Sequence, residues 1–119
     1  MFEFGSIGLA RFPFTDLSGD KRRLVLVISR NNESRSDVIV CFITSVPRTG
    51  LDMATIDATV ETGLKVRSVV RFDKIATLKK SMITGRLGCA SLSWLEGHAA
   101  TFLGVFGFGD FLLDSDSTE

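Results

Sequence analysis

The sequence predicts a mainly β protein that ends in one α-helix, with its strands forming a small antiparallel barrel or a highly curved sheet. Five or six short segments rich in β-branched and apolar residues recur between residues 6 and 83, and polar turns separate them. The period then changes, because apolar residues recur at helical spacing from Leu92 to Phe106. The helix should therefore cover one face or one end of the sheet.

Each predicted strand follows from local alternation or from an apolar run bounded by turns. The first segment alternates between two faces, whereas the second and third are apolar on both faces. The loops at 15–20 and 30–36 are polar. The predicted strands are Ser6–Phe12, Arg23–Ser29, Asp37–Ser45, Ala54–Val60, Arg67–Arg71 and Met82–Ile83, with a single helical turn at Asp73–Thr77.

The C-terminal helix has a predicted start and a predicted end. Ser93 and Glu96 are three residues apart and fit a capping box at its N-terminus. Gly107 and Gly109 would stop it, because glycine disfavours continuation of a helix.

The second and third predicted strands should pair as an antiparallel hairpin, because the loop between them is short. If the loop is centred on Glu33, the numbers of opposed residues sum to 66, and Arg22 lies opposite Thr44. Their Cβ atoms would then lie about 4.5–5.5 Å apart, where the apolar ladder ends. Strands that are apolar on both faces need two covers. The barrel core can supply one, and the helix or the partner subunit of a homodimer can supply the other.

The charges are unevenly distributed along the 119 residues, although fourteen basic and fourteen acidic residues give a net charge of zero. Four acidic residues and no basic one lie in residues 110–119, so residues 1–109 hold fourteen basic and ten acidic residues, a net of +4. A modestly basic body can bind phosphate groups electrostatically. We therefore expect a single domain over 1–109, followed by a flexible acidic tail over 110–119.

The two cysteines, Cys41 and Cys89, are expected to be free and buried, as in a reducing compartment, although a disulfide between them stays open. One histidine and no close cysteine spacing argue against a zinc site. No apolar run reaches the roughly 20 residues of a membrane-spanning helix, and the N-terminus does not resemble a secretory signal. A cytoplasmic protein is expected.

Several short motifs follow one another in a distinctive order over residues 4–106. The segments are Phe4–Leu9 with Phe12-Pro13-Phe14, Gly19–Ile28, Ile43-Thr44-Ser45, Leu64–Val70 with Ile75–Leu78, and Gly85–Gly88. No single motif is very specific, but in their order and spacing they resemble the MazF/PemK family of toxins. Lys21-Arg22-Arg23 resembles the Lys-Arg-Pro motif of that family, with Arg23 in the place of the proline.

The resemblance implies an SH3-like barrel of the kind found in CcdB and PemK, assembled as a homodimer. It also implies that the protein is the toxin of a type II toxin–antitoxin system, and that a cognate antitoxin protein binds it. The implied activity is that of an mRNA interferase. Such an endoribonuclease cleaves single-stranded RNA without a metal or other cofactor and leaves a 2′,3′-cyclic phosphate and a 5′-hydroxyl. The catalytic residues of the family map onto Arg22 and Thr44.

The chemistry fits these residue types. Attack by the 2′-hydroxyl builds negative charge on the phosphate, which the guanidinium of Arg22 would bind. Thr44 would donate to the same phosphate or orient the 2′-hydroxyl. Arginine stays protonated in proteins, so the general base is unassigned. A two-histidine mechanism is excluded, because His98 is the single histidine and is expected on the exposed side of the helix.

Further residues are expected to line an RNA groove beside Arg22 and Thr44, where they could contact bases or phosphates that flank the cut. They are Thr15, Asp16, Ser18, Gly19, Lys21, Arg48, Lys65, Ser68 and Arg86. Two alternatives stay open. One is a binding toxin on the same barrel, such as a gyrase inhibitor of the CcdB type, and the other is a non-cleaving member of the family.

Overall fold

The structure, a computed structural model, describes residues 3–11, 22–30 and 34–111. Its elements are β1 (Ser6–Arg11), β2 (Arg22–Val27), β3 (Asp37–Thr44), β4 (Met53–Ile56), β5 (Ser68–Lys79), a 3-10 turn (Lys80–Met82), β6 (Ile83–Cys89) and α1 (Leu92–Leu103). All neighbouring strands are antiparallel, and the curved, unclosed sheet has the order β4-β5-β3-β2-β1-β6. The predicted class, mainly β with a C-terminal helix, is confirmed.

Both faces of the central strands are buried within this single chain. On one face, residues such as Leu26, Cys41 and Phe72 pack against side chains of α1. On the other face, a second apolar cluster joins residues of β1, β2, β3, β5 and β6, and its members Val25 and Val40 have no exposed surface. The helix and the curvature of the sheet thus supply the two covers. Burial of these strands does not require a partner subunit, and the homodimer stays a prediction.

The pairing of β2 with β3 differs from the predicted pairing by one residue. Leu24 pairs with Ile43, so the numbers of opposed residues sum to 67 instead of 66. The predicted pairing of Arg22 with Thr44 was therefore wrong. A shift of one residue moves a side chain to the other face of the sheet, so Arg22 and Thr44 belong to opposite faces.

The hydrogen bonds at the loop end of this hairpin account for the shift. The Ile28 N–H donates to the carbonyl oxygen of Ile39 at 2.9 Å, which extends the ladder one residue past β2. The hydroxyl of Ser29 then accepts the Ile39 N–H at 3.1 Å. The numbers of Ile28 and Ile39 also sum to 67, so this bond continues the observed pairing and not the predicted one.

Strand β5 is longer than predicted, and the helical turn expected at Asp73–Thr77 was wrong. That stretch has a strand partner, since Asp37 to Cys41 of β3 pair with Lys79 to Ile75 of β5. An isolated helical turn has no comparable stabilisation. The ladder is irregular in the middle, because Cys41 pairs with Ile75 whereas Phe42 pairs with Arg71. Residues 72–74 therefore bulge out of the pairing.

Two further strands differ from their predicted bounds. Strand β4 ends at Ile56 instead of Val60, because the Thr62 hydroxyl accepts the Thr59 N–H at 3.0 Å and folds this segment into a turn. Gly63 follows in a left-handed conformation, with φ at +70°. Strand β6 runs well beyond the predicted Met82–Ile83, because β1 offers it a partner as far as Cys89.

The helix α1 is capped by Ser91, whose hydroxyl accepts the Trp94 N–H at 3.1 Å. The predicted capping box at Ser93 was therefore wrong, and the helix also ends earlier than predicted, at Leu103. Trp94 and Phe102 project onto the sheet, where their ring centroids lie 6.2 and 5.6 Å from that of Phe72. These contacts attach the helix to β5 at the bulge itself.

Both cysteines are free, as predicted; Cys41 is buried and Cys89 is half-buried. Burial raises the pKa of the Cys41 thiol from 9.0 to about 12, so the thiol stays protonated well into the alkaline range. Within the described residues, no helix is long and apolar enough to cross a membrane.

Candidate functional site

A concave pocket of about 470 Å³ opens where β2 begins and β3 ends. Its described lining carries four basic side chains, those of Arg23, Arg48, Arg71 and Lys74, and no acidic one. Thr44 contributes a hydroxyl to the same wall. The pocket combines cationic hydrogen-bond donors with a small polar donor, which suits an anionic ligand such as a phosphate diester.

Arg23 and Thr44 reach this pocket from neighbouring strands. The observed pairing runs from Val27 with Val40 to Leu24 with Ile43, and one further step places Arg23 opposite Thr44. Side chains that are directly opposed on antiparallel strands have Cβ atoms about 4.5–5.5 Å apart. Both residues line the pocket, so the guanidinium and the hydroxyl can contact one bound group.

The hydroxyl of Thr44 is oriented by the chain that follows it. Its oxygen accepts the Val46 N–H at 3.1 Å. A threonine hydroxyl has one proton to donate in addition to its acceptor lone pairs. The bond from Val46 uses a lone pair, so the proton can point toward a ligand in the pocket.

Arg71 of β5 forms another part of the wall, and it is ion-paired with Asp73, which lies outside the lining. The guanidinium of Arg71 donates from Nε to one oxygen of Asp73 at 3.1 Å and from Nη2 to the other at 2.8 Å. These bonds hold the pKa of Asp73 below its ordinary value, so the carboxylate stays ionised to a lower pH than that of an unpaired aspartate. The side chain of Arg71 is 17% exposed, which makes it the most enclosed cation described at this site.

The predicted site residues fall into separate groups. Thr44 and Arg48 lie in the pocket. Arg22 does not line it, and pairs instead with Arg11 of β1. Lys65 and Ser68 line a second, mainly apolar pocket of about 450 Å³, which shares Leu24 and Ser45 with the first.

Arg86 lies apart from both pockets, on the edge strand β6, where its Nε donates to the hydroxyl of Ser6 at 3.5 Å. Ser68 is buried and donates its hydroxyl proton to the Val66 carbonyl at 2.9 Å, so this proton is already used within the chain. The other predicted RNA contacts fall outside the described residues. They are Thr15, Asp16, Ser18, Gly19 and Lys21.

Three basic residues of the pocket were not predicted as site residues, namely Arg23, Arg71 and Lys74. A signal for Arg23 is present in the sequence, because Arg22-Arg23-Leu24 also fits Lys-Arg-Pro if Leu24 takes the place of the proline. The strand of the motif then begins at Val25. Arg71 and Lys74 carry no comparable signal, since their position depends on the β5 bulge.

His98 is not an exposed residue as predicted, but half-buried in an apolar groove between α1 and the sheet. Its Nδ1 lies 2.8 Å from the carbonyl oxygen of Trp94, and its ring stacks on the Trp94 ring at 4.4 Å between centroids. The histidine contacts Trp94 within the helix and lies outside the cationic pocket. Elsewhere in the described ranges, no three His, Cys, Asp or Glu side chains cluster as metal ligands would.

Comparisons with known proteins agree with this architecture. Residues 3–97 match the family model described as PemK-like, MazF-like toxin of type II toxin–antitoxin system. The Mycobacterium tuberculosis toxin MazF-mt6 superposes with a TM-score of 0.71 at 26% identity, over 85% of this chain and 95% of that chain. No curated protein matches the sequence.

Two solved complexes with antitoxins have the same fold. An endoribonuclease in complex with its cognate antitoxin from Mycobacterial species gives a TM-score of 0.71 at 21% identity, over 90% of this chain and 95% of that chain. A MazE–MazF structure from Deinococcus radiodurans gives a TM-score of 0.71 at 23% identity, over 88% of this chain and 95% of that chain.

Proposed function

The chain belongs to the PemK-like, MazF-like toxins of type II toxin–antitoxin systems, and from that premise we propose that it is a metal-independent endoribonuclease. Its substrate would be single-stranded mRNA in the cytoplasm. Its products would be a 2′,3′-cyclic phosphate and a 5′-hydroxyl. The resemblance drawn from the sequence motifs is confirmed by the family match, and the activity is the part that we propose.

One observation supports the proposal most strongly. Arg23 and Thr44 both line the same pocket, and every charged residue in its described lining is basic. We therefore assign to Arg23 the role of the family arginine that the motif first suggested for Arg22. A phosphate diester in this pocket would accept two parallel hydrogen bonds from the guanidinium. Thr44 would donate to the same group, with its oxygen already held by Val46.

The reaction needs no nucleophile from the protein. The 2′-oxygen attacks the adjacent phosphorus and loses its proton, the bond from phosphorus to the 5′-oxygen breaks, and that oxygen takes up a proton. Negative charge grows on the phosphate oxygens in the transition state, and preorganised donors stabilise it there more than in the ground state. Arg48 and Lys74 add positive charge that attracts the RNA backbone. The general base stays unassigned.

The same pocket suggests how a partner would inhibit the protein. Homologous toxins have been solved with their antitoxins, and we propose that this chain also has a cognate antitoxin. An acidic segment of that antitoxin could occupy the basic pocket and exclude RNA, because carboxylates and phosphates bind the same guanidinium groups. We also propose that the toxin acts as a homodimer, as its family resemblance implies.

The proposal can be tested with purified protein and a long single-stranded RNA in excess EDTA. We expect cleavage at defined sites, and fragments whose 5′ ends polynucleotide kinase can label without prior phosphatase treatment. The double variant Arg23→Ala, Thr44→Val should lose at least about 100-fold in rate, the usual cost of removing oxyanion-stabilising donors.

Arg35→Ala is the matched control, because Arg35 is exposed at the opposite end of the same hairpin. It should cleave at the wild-type rate. Absence of cleavage by the wild type, or equal rates for the wild type and the double variant, would contradict the proposal. Full toxicity of the double variant in cells would instead favour a binding toxin of the CcdB type.

A further inference from the structure

The second, mainly apolar pocket differs in chemistry from the cationic one beside it. Its volume is about 450 Å³, and Lys65 is the charged residue of its described lining. Its apolar walls come from Leu9, Leu24, Leu64, Val66 and Leu87. We call this pocket the Leu24 cleft. Ligand sites of proteins usually enclose about 300–1,000 Å³, so the cleft is large enough for a small planar group such as a nucleobase.

The pairing of β1 with β2 explains why the cleft has an apolar wall and a cationic end. Side chains alternate between faces along a strand, so every second pair of this ladder lies on one face of the sheet. In order toward the start of β2, the pairs on this face are Ile7 with Leu26, Leu9 with Leu24, and Arg11 with Arg22. The first pair is buried in the core against α1, the second is half-buried in the cleft, and the third is exposed. The face therefore passes from core to apolar cleft to cationic surface.

The charge at the edge of the cleft is positive. Arg11, Arg22 and Lys65 are exposed, and none of them forms an ion pair with an acidic residue of the described ranges. The described lining of the cleft contains no acidic residue either. Apolar walls with cations at the edge suit a ligand that joins an apolar planar group to a negative charge, as a nucleotide does.

The cleft is continuous with the cationic pocket, since Leu24 and Ser45 line both. Leu24 follows Arg23 along β2, and Ser45 follows Thr44 at the end of β3. A phosphate held by Arg23 and Thr44 would therefore have the cleft one residue away on each strand. Single-stranded RNA carries an unpaired base next to every phosphate, and such bases are commonly bound against side chains while cations bind the backbone.

We propose that the Leu24 cleft binds the base of one of the two nucleotides that flank the cut, while the phosphate that is cut occupies the cationic pocket. This inference rests on the proposed ribonuclease function. Apolar walls contact the face of a base, which all four bases offer, so the cleft would contribute affinity at that position with little choice between bases. Lys65 would bind the RNA backbone at the edge of the cleft.

The cleft and Arg23 should differ in what they contribute to kinetics. The base takes no part in bond breaking, so its contacts in the cleft contribute equally to the substrate and transition states. Their loss should raise KM about fivefold, the lower end of what one bound base contributes in single-strand binding, and leave kcat within about twofold. Loss of Arg23 should instead lower kcat.

The test pairs a change in the RNA with a change in the cleft. Each nucleotide that flanks a mapped cut is replaced in turn by an abasic ribonucleotide, which keeps the 2′-hydroxyl and the phosphate. With the wild type, one of the two replacements should raise KM about fivefold. The cleft variant is Val66→Thr with Leu87→Asn, which puts polar groups of similar size at two exposed positions of the wall. It should raise KM for intact RNA by a similar factor, and the abasic replacement should then have no further effect, because the two changes remove the same contact.

The matched control is Val60→Thr with Leu92→Asn. Both residues are exposed apolar side chains outside the two pockets. This control should keep the wild-type KM and the wild-type response to the abasic RNA. Thermal unfolding of each variant identifies any loss of fold, and Val66→Thr alone replaces the cleft variant if that variant unfolds.

The failure of this inference is distinguishable from failure of the proposed function. If the wild type cleaves RNA but neither abasic replacement raises KM, or if the folded cleft variant responds to the replacements as the wild type does, the base site is overturned and the ribonuclease function stands. A cleft variant that loses its oligomeric state in sedimentation but keeps the wild-type abasic response would assign the cleft to a subunit interface and also overturn the base site. If the wild type neither cleaves nor binds RNA, the proposed function is overturned, and this inference with it.

Discussion

Two adjacent arginines, Arg22 and Arg23, offer a direct test of the strand pairing on which the site depends. Successive residues of a strand point to opposite faces of the sheet, so only one of them can share the pocket with Thr44. The observed pairing assigns that place to Arg23. We therefore predict that Arg23→Ala abolishes cleavage and that Arg22→Ala does not.

The expected difference between the two variants is large. Removal of a donor that stabilises the transition-state oxyanion costs about 2.7–4 kcal/mol, or about 100- to 1,000-fold in kcat. Arg22 lies on the opposite face and can offer at most long-range attraction to RNA, so its removal should change kcat/KM by less than about tenfold. The ratio between the variants should therefore be at least about tenfold.

Stability provides an independent measure of the same pairing. Arg22 is paired directly with Arg11 across β1 and β2. Like charges that are directly opposed on neighbouring strands repel, with cross-strand pair energies of about 0.2–1 kcal/mol. Arg22→Ala should leave the free energy of unfolding unchanged or raise it slightly, and any gain should shrink as salt screens the repulsion.

The assay is single-turnover cleavage of one RNA in EDTA, with urea denaturation of each variant at low and high salt. Arg35→Ala again serves as the control for loss of one exposed positive charge. If Arg22→Ala were the inactive variant and Arg23→Ala remained active, the assignment of Arg23 to the pocket would be refuted. If both variants were inactive while folded, the argument from opposite faces would fail as well.

Other predictions concern stability. Ser91→Ala should lower the free energy of unfolding by about 1 kcal/mol, because the hydroxyl of Ser91 caps α1, and Ser93→Ala should change it much less, as urea denaturation can measure. Burial raises the pKa of Cys41 from 9.0 to about 12, so above pH 9 the unfolded chain loses this proton while the folded chain keeps it. The free energy of unfolding should then fall with pH, by up to about 1.4 kcal/mol per pH unit from this group. Cys41→Val should lack that component, and an identical pH dependence in both proteins would contradict the account.

The parts of the fold that could be predicted are those set by local pattern. The apolar runs around Leu26 and Cys41 predicted the central strands, and helical spacing from Leu92 predicted the C-terminal helix. The wrong boundaries share a cause. The segment Asp73–Thr77 and strand β6 extend as strands because β3 and β1 lie beside them. The local sequence does not show which strand will lie beside a segment, so these extensions could not be predicted from it.

The candidate site was predictable in its chemistry but not in its geometry. The motifs drew attention to Thr44 and to the arginines near residue 22, and the structure places Thr44 and Arg23 in one pocket. Which arginine shares a face with Thr44 depends on the pairing of β2 with β3. A shift of that pairing by one residue replaces Arg22 by Arg23 as the residue opposite Thr44. Arg71 could not be predicted at all, because its place in the pocket requires the bulge in β5.

The bulge in β5 links the stability of the fold to the function that we propose. It aligns Arg71 with Phe42 while Cys41 pairs with Ile75, and it directs Phe72 onto the helix. On one face the extra residues anchor α1, and on the other they complete the basic wall. Removal of residues 72–74 would therefore eliminate both the helix contact and the Arg71–Asp73 pair. The irregularity is therefore a feature on which the core and the pocket depend together.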